Sequence, residues 1–165
     1  MVYPQLAISD KAIEHSINSD IEQRISDLRE SDFCIGQYGY VQKRTHLQIN
    51  LFCTCIEFEE PQNRYFFYNL VSGKPVPYSD IMEPKTSKKL STALIEKAKL
   101  HLSNKMGTLS IDSQSKIDES GIDAFRVVMQ RGGLDLWLSE APEWGEKPLF
   151  ISWVELTPFL KYQFM

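Results

Sequence analysis

Apolar residues fall at two spacings along this chain, and the spacing marks out its elements. Ile13, Ile17, Ile21, Ile25 and Leu28 recur at every third or fourth position, with Glu, Arg, Asp and Ser between them. That is the period of a helix with one buried stripe. Ser9 or Asp10 stands where a cap belongs, and the helix is expected to end near Glu30.

The period then drops to two. "CIGQYGYVQ" (Cys34–Gln42) reads as a strand rich in aromatics and Gly. In "THLQINLFCTCIEFEE" (Thr45–Glu60), Leu47, Ile49, Leu51, Cys53 and Cys55 share one face, with Phe52, Ile56 and Phe58 on the other. Apolar residues on both faces predict cover on each side. "PQNR" (Pro61–Arg64) is a turn signal, and "YFFYNLV" (Tyr65–Val71) completes an antiparallel hairpin. Gly73 allows a turn. Pro75 and Pro77 hold an extended stretch that should not continue a ladder.

Pro84 biases Glu83 away from helix, so a second helix is expected just beyond it, capped by Thr86 or Ser87. Its stripe is Leu90, Leu94, Ala98 and Leu102, with Met106 near the end. Lys97, Lys99 and Lys105 suit its C-terminal half, and Gly107 suits its termination. "TLSIDSQSKIDESGID" (Thr108–Asp123) has no clean period and reads as a surface loop. Strands follow at Ala124–Gln130 and Leu134–Ser139, around the Arg131-Gly132-Gly133 turn. A loop at Glu140–Pro148, a strand at Leu149–Val154 and a helical turn at Glu155–Leu160 close the chain. The order is helix, strands, helix, strands. It predicts an α+β fold: an antiparallel sheet of about six strands with two main helices on one face.

At 165 residues the expected organisation is a single domain over 1–165. Net charge is -4 with no basic block, which argues against nucleic acid as partner. No apolar run is long enough to span a bilayer. If a leader was trimmed, the expected location is the periplasm or cell surface; if Met1 is the native start, it is the cytoplasm.

Candidate chemistry changes this picture little. Three cysteines make an odd number, which argues against a disulfide framework. Cys53 and Cys55 read as small buried hydrophobes in their strand, although an oxidising compartment would allow Cys34 to pair with one of them. His15, His46 and His101 have no patterned partner and read as surface or edge residues. No nucleophile elbow, phosphate loop or zinc-ligand spacing occurs, and the carboxylates show no informative spacing. The chain is therefore expected to be no enzyme and to need no cofactor or metal. Aromatics remain. Tyr38 and Tyr40 lie two apart on the first strand, and Trp144 sits in the charged loop "EAPEWGEK" beside Glu143 and Glu146. Trp144 is either packed down as a lid or offered to a partner.

Four pieces in order carry a family resemblance. They are "YPQLAISDKAIEHSINSDI" (Tyr3–Ile21), "YFFYNLVSGKPVPYSDIMEPKTSKKLSTALIEKA" (Tyr65–Ala98), "FRVVMQRGGLDLWLSEAPEWGEKP" (Phe125–Pro148) and "LFISWVELTPFL" (Leu149–Leu160). Together they resemble the RsiV-type extracytoplasmic domain, the lysozyme-sensing part of an anti-sigma factor that also accompanies some peptidoglycan deacetylases. The chain departs from that pattern at Ser139-Glu140, ahead of Ala141-Pro142. The resemblance implies an α+β fold and a non-catalytic binding role, with Gly73–Pro84 as a strand-to-helix signature. Size, acidity and the lack of catalytic motifs add the expectation of a bacterial immunity protein. Such a protein would neutralise a secreted toxin or cell-wall hydrolase through Trp144, Glu143, Glu146, Tyr38 and Tyr40. The alternative is an envelope sensor cut from a longer exported protein.

Overall fold

The computed structural model describes residues 4–29, 34–55, 62–139 and 141–161. The side chains of Asp27, Arg29, Cys34, Ile35, Cys55 and Gln62 lie outside that description. The chain divides into two compact units, Met1–Val76 and Pro77–Met165.

The first unit opens with helix α1 (Lys11–Arg24), capped by Asp10, whose carboxylate accepts from the N–H groups of Ala12 and Ile13. The helical run breaks at Ile25 and resumes as the short α2 (Ser26–Arg29). Strands β1 (Cys34–Lys43), β2 (His46–Cys55), β3 (Gln62–Asn69) and β4 (Lys74–Pro75) form an antiparallel sheet in that order. The stripe of Ile17, Ile21, Ile25 and Leu28 packs on Leu47, Ile49, Leu51, Cys53, Phe66 and Tyr68. Each large aliphatic side chain buried there contributes roughly 1.5–3 kcal/mol.

Three expectations for this unit change. Gln62–Arg64 belongs to β3 rather than to a turn. Pro75 does stand in a ladder, opposite Tyr68; it is tolerated because β4 is the edge strand and no further neighbour asks for its missing N–H. His46 is buried, not a surface or edge residue, and stacks on Phe67 with ring centroids 5.5 Å apart. Gly73 sits at φ +69, and a Cβ there would stand 3.3 Å from the Ile13 Cα. The Ser16 hydroxyl donates to the Gly73 carbonyl, so this glycine turn is fastened to α1.

The second unit holds helix α3 (Ser87–Ser103), helix α4 (Ile111–Ser120), strands β5 (Phe125–Met129), β6 (Gly133–Leu138) and β7 (Leu149–Ser152), and the single-turn helix α5 (Trp153–Leu156). The strands form a second antiparallel sheet in chain order. The strands thus divide four and three between two sheets rather than joining one. Register places Phe125, Val127 and Met129 opposite Leu138, Leu136 and Leu134, and the latter two opposite Leu149 and Ile151. All eight are buried, as are Leu90, Leu94, Ala98 and Leu102 of α3.

The Ser/Asp-rich stretch read as a loop contains α4. Ser110 caps it by accepting from the Ser113 N–H. Ser113 and Ile117 are its buried residues, too few apolar groups to produce a visible period. Strand β7 stops at Ser152, two residues early, because Ser152 and Glu155 form a capping box that starts α5. At Gly133 the chain passes so close to β7 that a Cβ would stand 2.1 Å from the Ile151 carbonyl oxygen.

Candidate functional site

In the first unit, the decisive geometry comes from the width of one helix. A helix is roughly 10–12 Å across with its side chains, while strands lie about 4.8 Å apart. Helix α1 therefore shields little more than β2 and β3. On β1, Tyr38 lies opposite Leu51 and Tyr40 opposite Ile49, so both tyrosines share the core face. They are nevertheless 56% and 70% exposed, whereas Leu51 and Ile49 are buried.

A groove of about 300 Å³ runs between these tyrosines and residues 4–8, with Leu47 and Ile49 also lining it. Its opposite wall is held to α1 by three bonds. Leu6 N–H donates to Asn18 Oδ1 at 2.7 Å, Asn18 Nδ2 donates to the Leu6 carbonyl at 2.9 Å, and Ile8 N–H donates to Glu14 at 2.8 Å. The Glu14 carboxyl lies below its ordinary value, first because Lys11 donates to it and then because Ile8 does. The groove thus offers two phenols, an apolar floor and fixed walls. Those groups can stack on a partner, hydrogen-bond to it and bury an apolar side chain.

In the second unit, the loop after β6 has been drawn inward. Trp144 is 2% exposed. Its indole stacks on His101 of α3 at 5.1 Å and meets Phe125 edge-on at 5.7 Å. His101 Nε2 donates to the Lys147 carbonyl, and Lys105 Nζ donates to the carbonyls of Trp144 and Lys147. The Glu143 carboxylate accepts from the Ser113 hydroxyl at 2.7 Å and from the Ser110 N–H. The first of these bonds is the main reason its carboxyl lies below its ordinary value. The Glu146 carbonyl accepts from Trp137 Nε1 at 3.0 Å, and the Arg126 guanidinium lies 4.5 Å from the Trp137 ring centroid.

Among the five residues expected to bind a partner, the structure separates two kinds. Tyr38 and Tyr40 are presented to solvent together on the first unit. Glu143, Trp144 and Glu146 lie on one loop of the second unit, where Trp144 is a packing residue and Glu143 a helix-cap partner. A tryptophan buried to this degree is the packed lid, not an exposed anchor. Sequence reading missed His101 as a stacking partner, although its place three residues after Ala98 puts it at the margin of the buried stripe. It also missed the groove wall, whose Pro4, Leu6 and Ile8 alternate in "YPQLAIS". Among the described residues no group of three or more His, Cys, Asp or Glu could hold a metal ion. No helix among them is long and apolar enough to cross a membrane.

No protein-family model matches the chain, and no curated protein matches it. Solved structures similar to it include two crystal structures. One is a DUF3298 family protein from Pseudomonas aeruginosa PAO1, with 12% identity and a TM-score of 0.47, covering 89% of this chain and 71% of that one. The other is a member of the same family from Bacteroides fragilis NCTC 9343, with 13% identity and a TM-score of 0.38, covering 93% and 67%.

Proposed function

We propose that this chain is a non-catalytic protein-binding module that acts through the open face of β1. The observation that carries this reading is the paired exposure of Tyr38 and Tyr40 on a face where the residues opposite them on β2, Leu51 and Ile49, are buried. Isolated surface aromatics are ordinary, but two neighbouring ones beside a pre-formed groove floored by Leu47 and Ile49 match the anchor-and-pocket pattern of binding hot spots. The RsiV-type resemblance in the sequence supports the finer proposal. In that proposal the chain is a bacterial immunity protein that neutralises a secreted toxin or a lysozyme-type cell-wall hydrolase outside the cytoplasm.

The test is affinity capture of the secreted and envelope fractions of the source cells on tagged wild-type protein, with the Tyr38→Ala/Tyr40→Ala variant in parallel. The expected result is one stoichiometric protein held by wild type only, whose toxic or wall-degrading activity falls when the wild type is added. Capture of wall glycan without protein, or equal capture by the variant, would overturn the reading.

A further inference from the structure

We propose that this chain pairs with a second copy of itself along the free edge of β1, in an antiparallel, two-fold symmetric ladder centred on Gly39. The first sheet treats its two edges unequally. A free edge strand is a row of unpaired N–H and C=O groups, and proteins blunt it by short length, proline, charge or a bulge. The β4 edge is blunted: it is two residues long and holds Pro75. The β1 edge is not. It runs for ten residues, Cys34–Lys43, in unbroken one-to-one register with β2, with no proline and no charge before Lys43.

Register identifies the groups that stand free. Lys43 and His46 flank the two-residue turn and form a hydrogen-bonded pair. The two kinds of pair alternate along the ladder. Gln37, Gly39, Val41 and Lys43 therefore bond to β2, while Gly36, Tyr38, Tyr40 and Gln42 direct their N–H and C=O groups away from it. Among the described residues, no hydrogen bond takes those outward groups.

Outward groups at every second residue match another extended strand, and β1 matches itself. Laid antiparallel on a second copy about Gly39, it sets Gly36 opposite Gln42 and Tyr38 opposite Tyr40, each pairing made twice by symmetry. Both members of each pair are outward residues, so each pair exchanges both of its N–H···O bonds. Tyrosine on tyrosine is a favourable cross-strand pair, and Lys43 lies beyond the paired span, so no like charges meet. Gly39 meets Gly39 on the axis, in the close kind of pair with Cα atoms about 4.5 Å apart. In the single copy a Cβ at Gly39 would meet nothing within 4 Å. The new bonds lie in the plane of the sheet, so the face that carries the tyrosines stays open, and the dimer does not depend on what that face binds.

The test is sedimentation of the full chain from about 5 µM to about 500 µM, because one strand pair makes a small, reversible interface. The expected result is a reversible shift from the 19.1 kDa monomer to twice that mass. Hydrogen exchange at the Gly36, Tyr38, Tyr40 and Gln42 amides should slow as concentration rises, while the Gln37, Gly39 and Val41 amides stay protected throughout. Gly39→Lys and Gly39→Glu should each weaken the dimer at least about fivefold by setting like charges face to face. Each should leave Tm of the dilute protein unchanged, and an equimolar mixture of the two should recover the dimer. A monomer at every concentration, a dimer whose outward amides exchange as in the monomer, or a Gly39→Lys dimer as strong as wild type would each overturn the proposal.

Discussion

Trp144 and His101 are stacked ring on ring, 5.1 Å between centroids and 30° between planes. One stands on a loop and the other near the end of α3, 43 positions earlier in the chain by subtraction of their residue numbers. This pair converts the one tryptophan that the sequence offers as an exposed anchor into a fastening. Trp144→Ala should therefore cost about 3–5 kcal/mol of stability by chemical denaturation. Trp144→Phe should cost less than about 1.5 kcal/mol. It keeps a ring on His101 and deletes an indole N–H that has no acceptor among the described residues. A stable Trp144→Ala protein with weakened partner binding would show that the loop is a contact surface instead.

The same pair makes stability depend on pH. The His101 imidazole lies below its ordinary value of 6.5, chiefly because burial disfavours its charged form and then because the Lys105 ammonium is near. The Lys147 carbonyl, which accepts from the ring, opposes both. The unfolded chain takes up the proton first, so the fold is at full strength above 6.5 and weakens as pH falls below it. Thermal melts from about pH 7.5 to about pH 5.5 should show a falling Tm, and His101→Phe should lessen the fall. An unchanged slope in that variant would remove His101 from the account.

Glu155 responds at lower pH. Its carboxyl is held at about 2, first by the Lys97 ammonium at 2.5 Å and then by the Ser152 N–H and hydroxyl. A depressed carboxyl stabilises the fold above its ordinary value of 4.5, and that contribution is lost between 4.5 and about 2. The pair is partly exposed, so solvent screening keeps its worth small. Glu155→Gln should cost about 1 kcal/mol near neutrality and flatten the acid slope in that window, read by urea melts at each pH.

Gly133 has no room for a side chain. Gly133→Ala should cost about 1–3 kcal/mol, because the obstructing atoms are the Ile151 and Ser152 backbone and cannot swing aside. Hydrogen exchange should quicken first along β6 and β7. Protection equal to wild type would contradict the close approach.

Much of this was legible in the sequence. The Ile13-to-Leu28 stripe, the alternation through β2 and the Gly-Gly turn before β6 each state a period that their burial enforces. What stayed hidden was set by partners distant in sequence. Helix α4 has one bulky buried residue, Ile117, so no pattern announced it. The division into two sheets depends on which strands pair, and local spacing is silent on that. Trp144 lies between prolines and charges, where exposure and burial look alike until His101 and Phe125 close on it. The sequence offers Tyr38 and Tyr40 as candidates, and it takes the narrowness of α1 against its sheet to show that they stay open.

The central claim concerns those two tyrosines. Tyr38→Ala/Tyr40→Ala should change stability by no more than about 0.5 kcal/mol per site, since both side chains face solvent. The direct measurement is the dissociation constant of the captured partner for wild type and for this variant, alongside Tm for each. The account predicts at least a roughly 30-fold weakening, about 2 kcal/mol, with Tm nearly unchanged. Equal affinity in a folded double variant would contradict it.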